Sequence, residues 1–184
     1  GATVEGISYE DFEWIVGINF WGVVYGTKAF LPHLKASGEG HIVNTSSVFG
    51  LAGIPSQSAY NSTKFAVRGF TEALRQELDL AGGKVSATSV HPGGIKTNIA
   101  RAARMSKSIR DIGLDDEKGS EKFEKLFMTT ADSAAKTILD AVRRNKRRVL
   151  VGPDAYVFDL LVRLLPTGYQ RITSGFARAS MKKK

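Results

Sequence analysis

The sequence predicts an α/β fold in which buried parallel strands alternate with helices, and three observations carry that expectation. His41–Thr45, Val85–Val90 and Arg148–Val151 are short, largely apolar, β-branched runs of the kind that fill a strand covered on both faces. The segments between them repeat apolar residues at helical spacing. A chain of 184 residues, 42% of them hydrophobic, is long enough to bury one core.

Taken in order, Ser8 with Asp11 has the form of a capping box and opens a helix expected to run to about Ser37. That helix is expected to bury Phe12, Ile15, Val16, Val23 and Val24 and to kink at Pro32. After the first strand and the loop VFGLAGIPSQS, a second helix is predicted from Ser58 to Leu80. Ala66, Phe70, Leu74 and Leu78 mark its apolar repeat, and Gly82-Gly83 stops it. A third helix, about Ala131 to Arg144, shows Ile138, Leu139 and Val142 toward one face and precedes the strand RVLVG. Residues 1–152 read as one body, with 153–184 as its helical extension or basic tail. That tail, YVFDLLVRLLP onward, is apolar enough to pack on the core, sit in a subunit interface or touch a membrane surface; packing is the expected outcome.

Composition narrows the function classes. No stretch reaches the roughly 18 apolar residues of a membrane span and no signal-peptide pattern occurs, so a cytoplasmic setting is the default. With no cysteine there is neither a disulfide nor a thiolate metal site. His33, His41 and His91 are scattered without paired ligand spacing, so they read as structural and no metal site is expected. The net charge of +8 is uneven: from Ala141 onward eleven Lys/Arg face only Asp154 and Asp159, a local balance of +9. The run RRNKRR is read as a helix C-terminus followed by a solvated turn rather than as a nucleic-acid site.

The chemistry is concentrated elsewhere. Tyr60 and Lys64 are four residues apart on the second helix, which stacks phenol and ammonium on one face. A free tyrosine has a pKa of about 10, and a cation within about 4 to 6 Å favours the phenolate, so Lys64 is expected to lower the Tyr60 pKa. Ser46 and Ser47 follow the first strand, at the end where open α/β sheets place their ligands. The second strand runs into HPGGIKT, where Pro92, Gly93 and Gly94 allow backbone to approach a flat ring and Thr97 offers a hydroxyl.

Together these segments resemble the short-chain dehydrogenase/reductase (SDR) family: Asn44-x-Ser46-Ser47, Tyr60-x-x-x-Lys64, Pro92-Gly93 with Thr97, and Asn19 in INFWGVV. The resemblance covers roughly residues 1 to 152 and implies part of a doubly wound Rossmann fold, the last three strands of a parallel sheet with their flanking helices. It implies Tyr60 as general acid/base, Ser47 as the group that orients the substrate oxygen, and Lys64 as the group that holds the nicotinamide ribose and lowers the Tyr60 pKa. Asn19 is implied to organise a water relay. Pro92, Gly93, Ile95 and Thr97 are implied to seat the nicotinamide. The cofactor would be NAD or NADP, and the sequence does not choose between them.

The chain also departs from the family. Its relatives begin with a strand, a turn of the type T-G-x-x-x-G-x-G and a helix whose N-terminus carries the pyrophosphate, and no glycine pair here opens such a unit. Gly1-Ala2 has the form of the tail of the family's Asn-Asn-Ala-Gly motif, so roughly the first third of a family member, some 80 to 100 residues, is expected to be missing. The exposed sheet edge that results is expected to promote self-association. The segment Asn98–Met128 is read either as the family's mobile lid or as a variable surface loop. Two functions follow: an oxidoreductase that interconverts an alcohol and a carbonyl on a small molecule, as a homo-oligomer, or a noncatalytic remnant that binds cofactor weakly.

Overall fold

The computed structural model describes residues 1–99, 101–114 and 127–181. Helix α1, Tyr9–Val16, opens where the Ser8 side chain accepts from the Asp11 N–H at 3.1 Å, as the capping pattern predicts. The expected kink at Pro32 is not where the helix changes. Gly17–Trp21 form a π turn, in which the Gly22 N–H reaches back to Gly17 O, and α2, Gly22–Ala36, continues through Pro32. Of the residues expected inside, only Val24 is buried; Phe12, Ile15, Val16 and Val23 are half-buried.

Strand β1, Glu39–Thr45, leads through a short 3-10 turn, Val48–Gly50, to the long helix α3, Ser58–Leu80. Strand β2, Lys84–Pro92, lies parallel to β1 with Thr45 opposite Val90, and β5, Arg148–Val151, lies parallel to β2 on its other side. The sheet order is therefore β1-β2-β5, the three predicted strands of a Rossmann-type parallel sheet. Ile95–Lys96 (β3) and Thr129–Thr130 (β4) form a separate parallel pair absent from the sequence reading.

Helix α4, Ala131–Arg143, buries Ala134 and Ala141 against Val90, Val149 and Val151, with Ile138 packed beside them. Leu139, expected on that face, points to solvent at 55% exposure. On the other face of the sheet, Leu74 and Leu78 of α3 close a cluster with Ile42, Val85 and Ala87. The α3 face is more polar than its apolar repeat suggests: Thr63, Thr71 and Arg75 are buried there. Thr71 Oγ1 accepts from Asn44 Nδ2 at 3.1 Å, and Arg75 reaches Ala87 O and Asn145 Oδ1, so each buried polar group is bonded, as burial demands.

The tail forms α5, Pro153–Leu164, and α6, Tyr169–Met181. Ala155 and Tyr169 are buried, but the expectation that the tail's apolar residues pack inward is only partly met, because Tyr156, Val157, Leu160 and Leu164 face outward. Three arginines of the RRNKRR run have carboxylate partners: Arg143 with Asp140, Arg147 with Asp79 and Arg148 with Asp159. Part of the segment expected to be a lid, residues 115–126 and Ala100, lies outside the described residues. Within the described part, Ile109 is buried in the 3-10 turn Lys107–Ile112, and Phe127 is buried too.

Candidate active site

β1 and β2 end side by side, and their C-terminal ends carry the groups singled out by sequence. Ser46 N–H bonds to Val90 O at 2.8 Å, which fixes the exit of β1 beside β2 and places Ser47 next to His91. The carbonyl of Ser47 can only accept, so His91 Nδ1, 3.1 Å away, carries the proton and Nε2 accepts from Ser89 Oγ at 3.0 Å. Burial, which outweighs the opposing bond to Ser47, holds the His91 pKa down to about 4, so the ring is neutral.

The Ser47 hydroxyl accepts from the Phe49 N–H at 3.1 Å and is hydrogen-bonded to the Tyr60 phenol. Phe49 meets the Tyr60 ring edge-on at 5.8 Å, and Lys64 Nζ lies 5.5 Å from the centre of that ring. The phenol, the serine hydroxyl and the ammonium therefore share one site. Lys64 Nζ also donates to Thr45 O at 3.0 Å, which ties α3 to the end of β1.

Asn19 sits in the π turn and donates from Nδ2 to Thr63 Oγ1 at 3.3 Å, and Thr63 in turn donates to Tyr60 O at 2.8 Å. A π turn re-aims a side chain that a regular helix would send elsewhere, and such turns recur at functional sites. Asn19 is thus held against the turn of α3 that carries Tyr60.

The electrostatics differ from the expected direction. Burial raises the Tyr60 pKa, only partly offset by the bond to Ser47, and burial lowers that of Lys64. Desolvation disfavours the charged form of each group.

Pro92 ends β2, and the Gly93 N–H bonds to Val151 O at 2.9 Å. The following turn has no room for side chains: a Cβ on Gly93 would strike the Asp154 carboxylate and one on Gly94 the Phe127 ring. Ile95 turns its side chain into the cluster around Val90 and Val151, which leaves its backbone as the part available to a ligand. The Thr97 hydroxyl donates to Ile95 O at 3.4 Å, and it is exposed.

Three bracing residues escaped the sequence reading. Asp154, at the start of α5, accepts from the Gly94 N–H at 2.6 Å, and the Tyr169 hydroxyl of α6 accepts from the Gly53 N–H at 3.0 Å. Asn61 is a third: it donates to Phe49 O and Ala52 O and accepts from Ile54 N, so it shapes the loop between Ser47 and Tyr60. Its adjacency to Tyr60 was the only available signal.

The short chain dehydrogenase family profile matches residues 1–108. The chain belongs to the short-chain dehydrogenase family. It is 50% identical over 173 residues to a protein named oxidoreductase SadH from Mycobacterium tuberculosis, a match that takes in 94% of this chain and 61% of SadH. The short-chain dehydrogenase chain thus spans about three fifths of that relative's length. A short-chain dehydrogenase/reductase from Burkholderia phymatum, solved in complex with NAD, superposes with a TM-score of 0.78 at 28% identity, covering 90% of this chain and 62% of that one. A short chain dehydrogenase from Burkholderia cenocepacia, solved with NADP, gives 0.69 at 24% identity over 93% of this chain and 63% of that one, a likeness of fold.

The turn at Gly93–Gly94, too tight for side chains, follows the C-terminal end of β2, and the Tyr60 phenol and Lys64 ammonium stand on α3, which Lys64 ties to the C-terminal end of β1; these groups fit the nicotinamide and ribose end of a nicotinamide cofactor.

Proposed function

We propose that this short-chain dehydrogenase site interconverts an alcohol and a ketone or aldehyde with a nicotinamide cofactor. The observation that carries the reading is the Tyr60 phenol hydrogen-bonded to Ser47, with Lys64 Nζ 5.5 Å from the phenol ring. When bound, the nicotinamide supplies or takes the hydride at the carbonyl carbon. Ser47 donates to the substrate oxygen and fixes it beside Tyr60, whose phenol delivers the proton in reduction and removes it in oxidation. Lys64 holds the ribose hydroxyls. The Gly93–Ile95 backbone and Thr97 seat the nicotinamide, and Asn19 positions the proton path through the Tyr60–Lys64 turn of α3.

The test is Tyr60→Phe, read by NADH and NADPH fluorescence titration together with turnover on a panel of alcohols and ketones. Turnover is expected to vanish while cofactor affinity changes less than about threefold; substantial residual turnover sinks the role assigned to Tyr60. A second reading, for the 184 residues taken alone, is a noncatalytic module that keeps the site and binds nucleotide weakly. The same titration separates the two. Micromolar binding of either nucleotide supports the enzyme, and no saturation at millimolar nucleotide supports the module.

A further inference from the structure

Helices α5 and α6 are held to the body by few contacts, most of them polar. Ala155 and Tyr169 are buried, Asp154 and the Tyr169 hydroxyl accept from backbone amides, and Asp159 pairs with Arg148 and Arg163. Several of their apolar residues are turned the other way. On α5, Tyr156, Val157, Leu160 and Leu164 fall within one arc of about 100° and are all exposed, Leu164 at 70%. On α6, Ile172 and Phe176 stand one turn apart, and Phe176 is 76% exposed.

Beyond Asp159 the charge is of one sign. Residues 160–184 contain Arg163, Arg171, Arg178 and three terminal lysines and no Asp or Glu. Arg171 and Arg178 are exposed, and neither has a carboxylate partner among the described residues. Arg163, Arg171 and Arg178 on two short amphipathic helices, in a stretch of sequence that ends in three lysines, complement an anionic surface and repel a second copy of the same face. At 12 and 13 residues the helices are too short to span a bilayer, and no described helix is long and apolar enough to cross one. Apolar side chains with flanking cations on helices of this length suit the headgroup boundary of a membrane that carries anionic lipid.

We propose that α5 and α6 form a docking surface for an anionic lipid membrane, with Leu160, Leu164 and Phe176 entering the acyl boundary and Arg171 and Arg178 meeting the phosphates. The proposal does not depend on the reaction assigned to Tyr60, and its test reads no catalysis. The 184-residue chain is floated on a density gradient with phosphatidylcholine vesicles that do or do not contain phosphatidylglycerol; flotation separates lipid-bound protein from aggregates, which sink. The chain is expected to float with the anionic vesicles and to lose that behaviour as salt is raised.

The double variant Leu164→Glu, Phe176→Glu, altered only at exposed positions, is expected to lower the floating fraction about tenfold with an unchanged melt. Arg171→Gln with Arg178→Gln is expected to abolish the preference for phosphatidylglycerol. Three results overturn the proposal. One is no flotation with either vesicle, and a second is flotation of the Leu164→Glu, Phe176→Glu variant equal to that of the parent. The third is absence of lipid binding combined with a fall in scattering mass in that variant, which makes the face an interface between copies.

Discussion

Tyr60 stands between opposing influences, and their balance determines what the residue can do. Burial raises its pKa, the hydrogen bond with Ser47 lowers it, and Lys64 is itself made less basic by burial. A phenol in that state is a proton donor at neutral pH, the form needed to reduce a carbonyl. A fully buried imidazole, His91, acts on stability. Folded, it stays neutral down to about pH 4; unfolded, it takes up a proton below about pH 6.5. Within that window the unfolded chain binds more protons, so stability falls as pH falls from 6.5 toward 4 and the effect is complete below 4. The displacement corresponds to about 3 kcal/mol. Urea unfolding at steps between pH 7 and pH 4 should show this slope, and His91→Asn, whose amide can still donate to Ser47 O, should flatten it. An identical slope in the variant would assign the acid sensitivity to other groups.

At the scale of elements, the site depends on how the turn after β1 seats on α3. Ser46 Oγ donates to Lys64 O at 2.7 Å, and Gly50 lies against the same stretch of α3. A Cβ there would come within 2.2 Å of Ser46 Oγ and 2.7 Å of Lys64 O, and the second of these is helix backbone that cannot swing aside. Gly50→Ala should therefore cost about 1 to 3 kcal/mol, seen as a drop in Tm of about 2 to 4 °C for each of them. A melt unchanged within a degree would mean that the turn shifts freely. The extent of α3 was legible because its apolar period and Gly82-Gly83 are local signals, and the three strands because β-branched runs are too. The π turn at Gly17–Trp21 was not, since it answers to Asn19 meeting Thr63, 44 residues away. Nor was the Ser47–His91 bond, which exists only because the β1–β2 register sets Thr45 opposite Val90. Apolar content alone did not reveal which way the tail faces, because Leu164 and Leu74 look alike until one is seen outside and the other inside.

For the molecule as a whole, charge and apolar surface lie in different places. The C-terminal part from Ala141 holds +9, which leaves residues 1–140 at −1, so the excess charge does little to keep the first strand's flank apart from another copy. That flank is open. Among the described residues β1 is paired only with β2, and a groove of about 370 Å³ runs along it, lined by Gly26, Phe30 and Leu34 of α2 and Ile42 of β1. Trp14, Ile18, Trp21 and Tyr25 add an exposed apolar stripe on α1, the π turn and α2. A seven-residue parallel edge with an apolar groove beside it is a template for a further strand and helix. The chain alone is expected to self-associate, giving a light-scattering mass that is a multiple of 20.0 kDa. Val43, exposed on the edge strand, is where one charge should act: Val43→Lys is expected to shift the mass toward the monomer. If Trp21→Glu does so and Val43→Lys does not, the helical stripe is the interface; a monodisperse parent chain of 20.0 kDa with a cooperative melt would show that the edge attracts nothing.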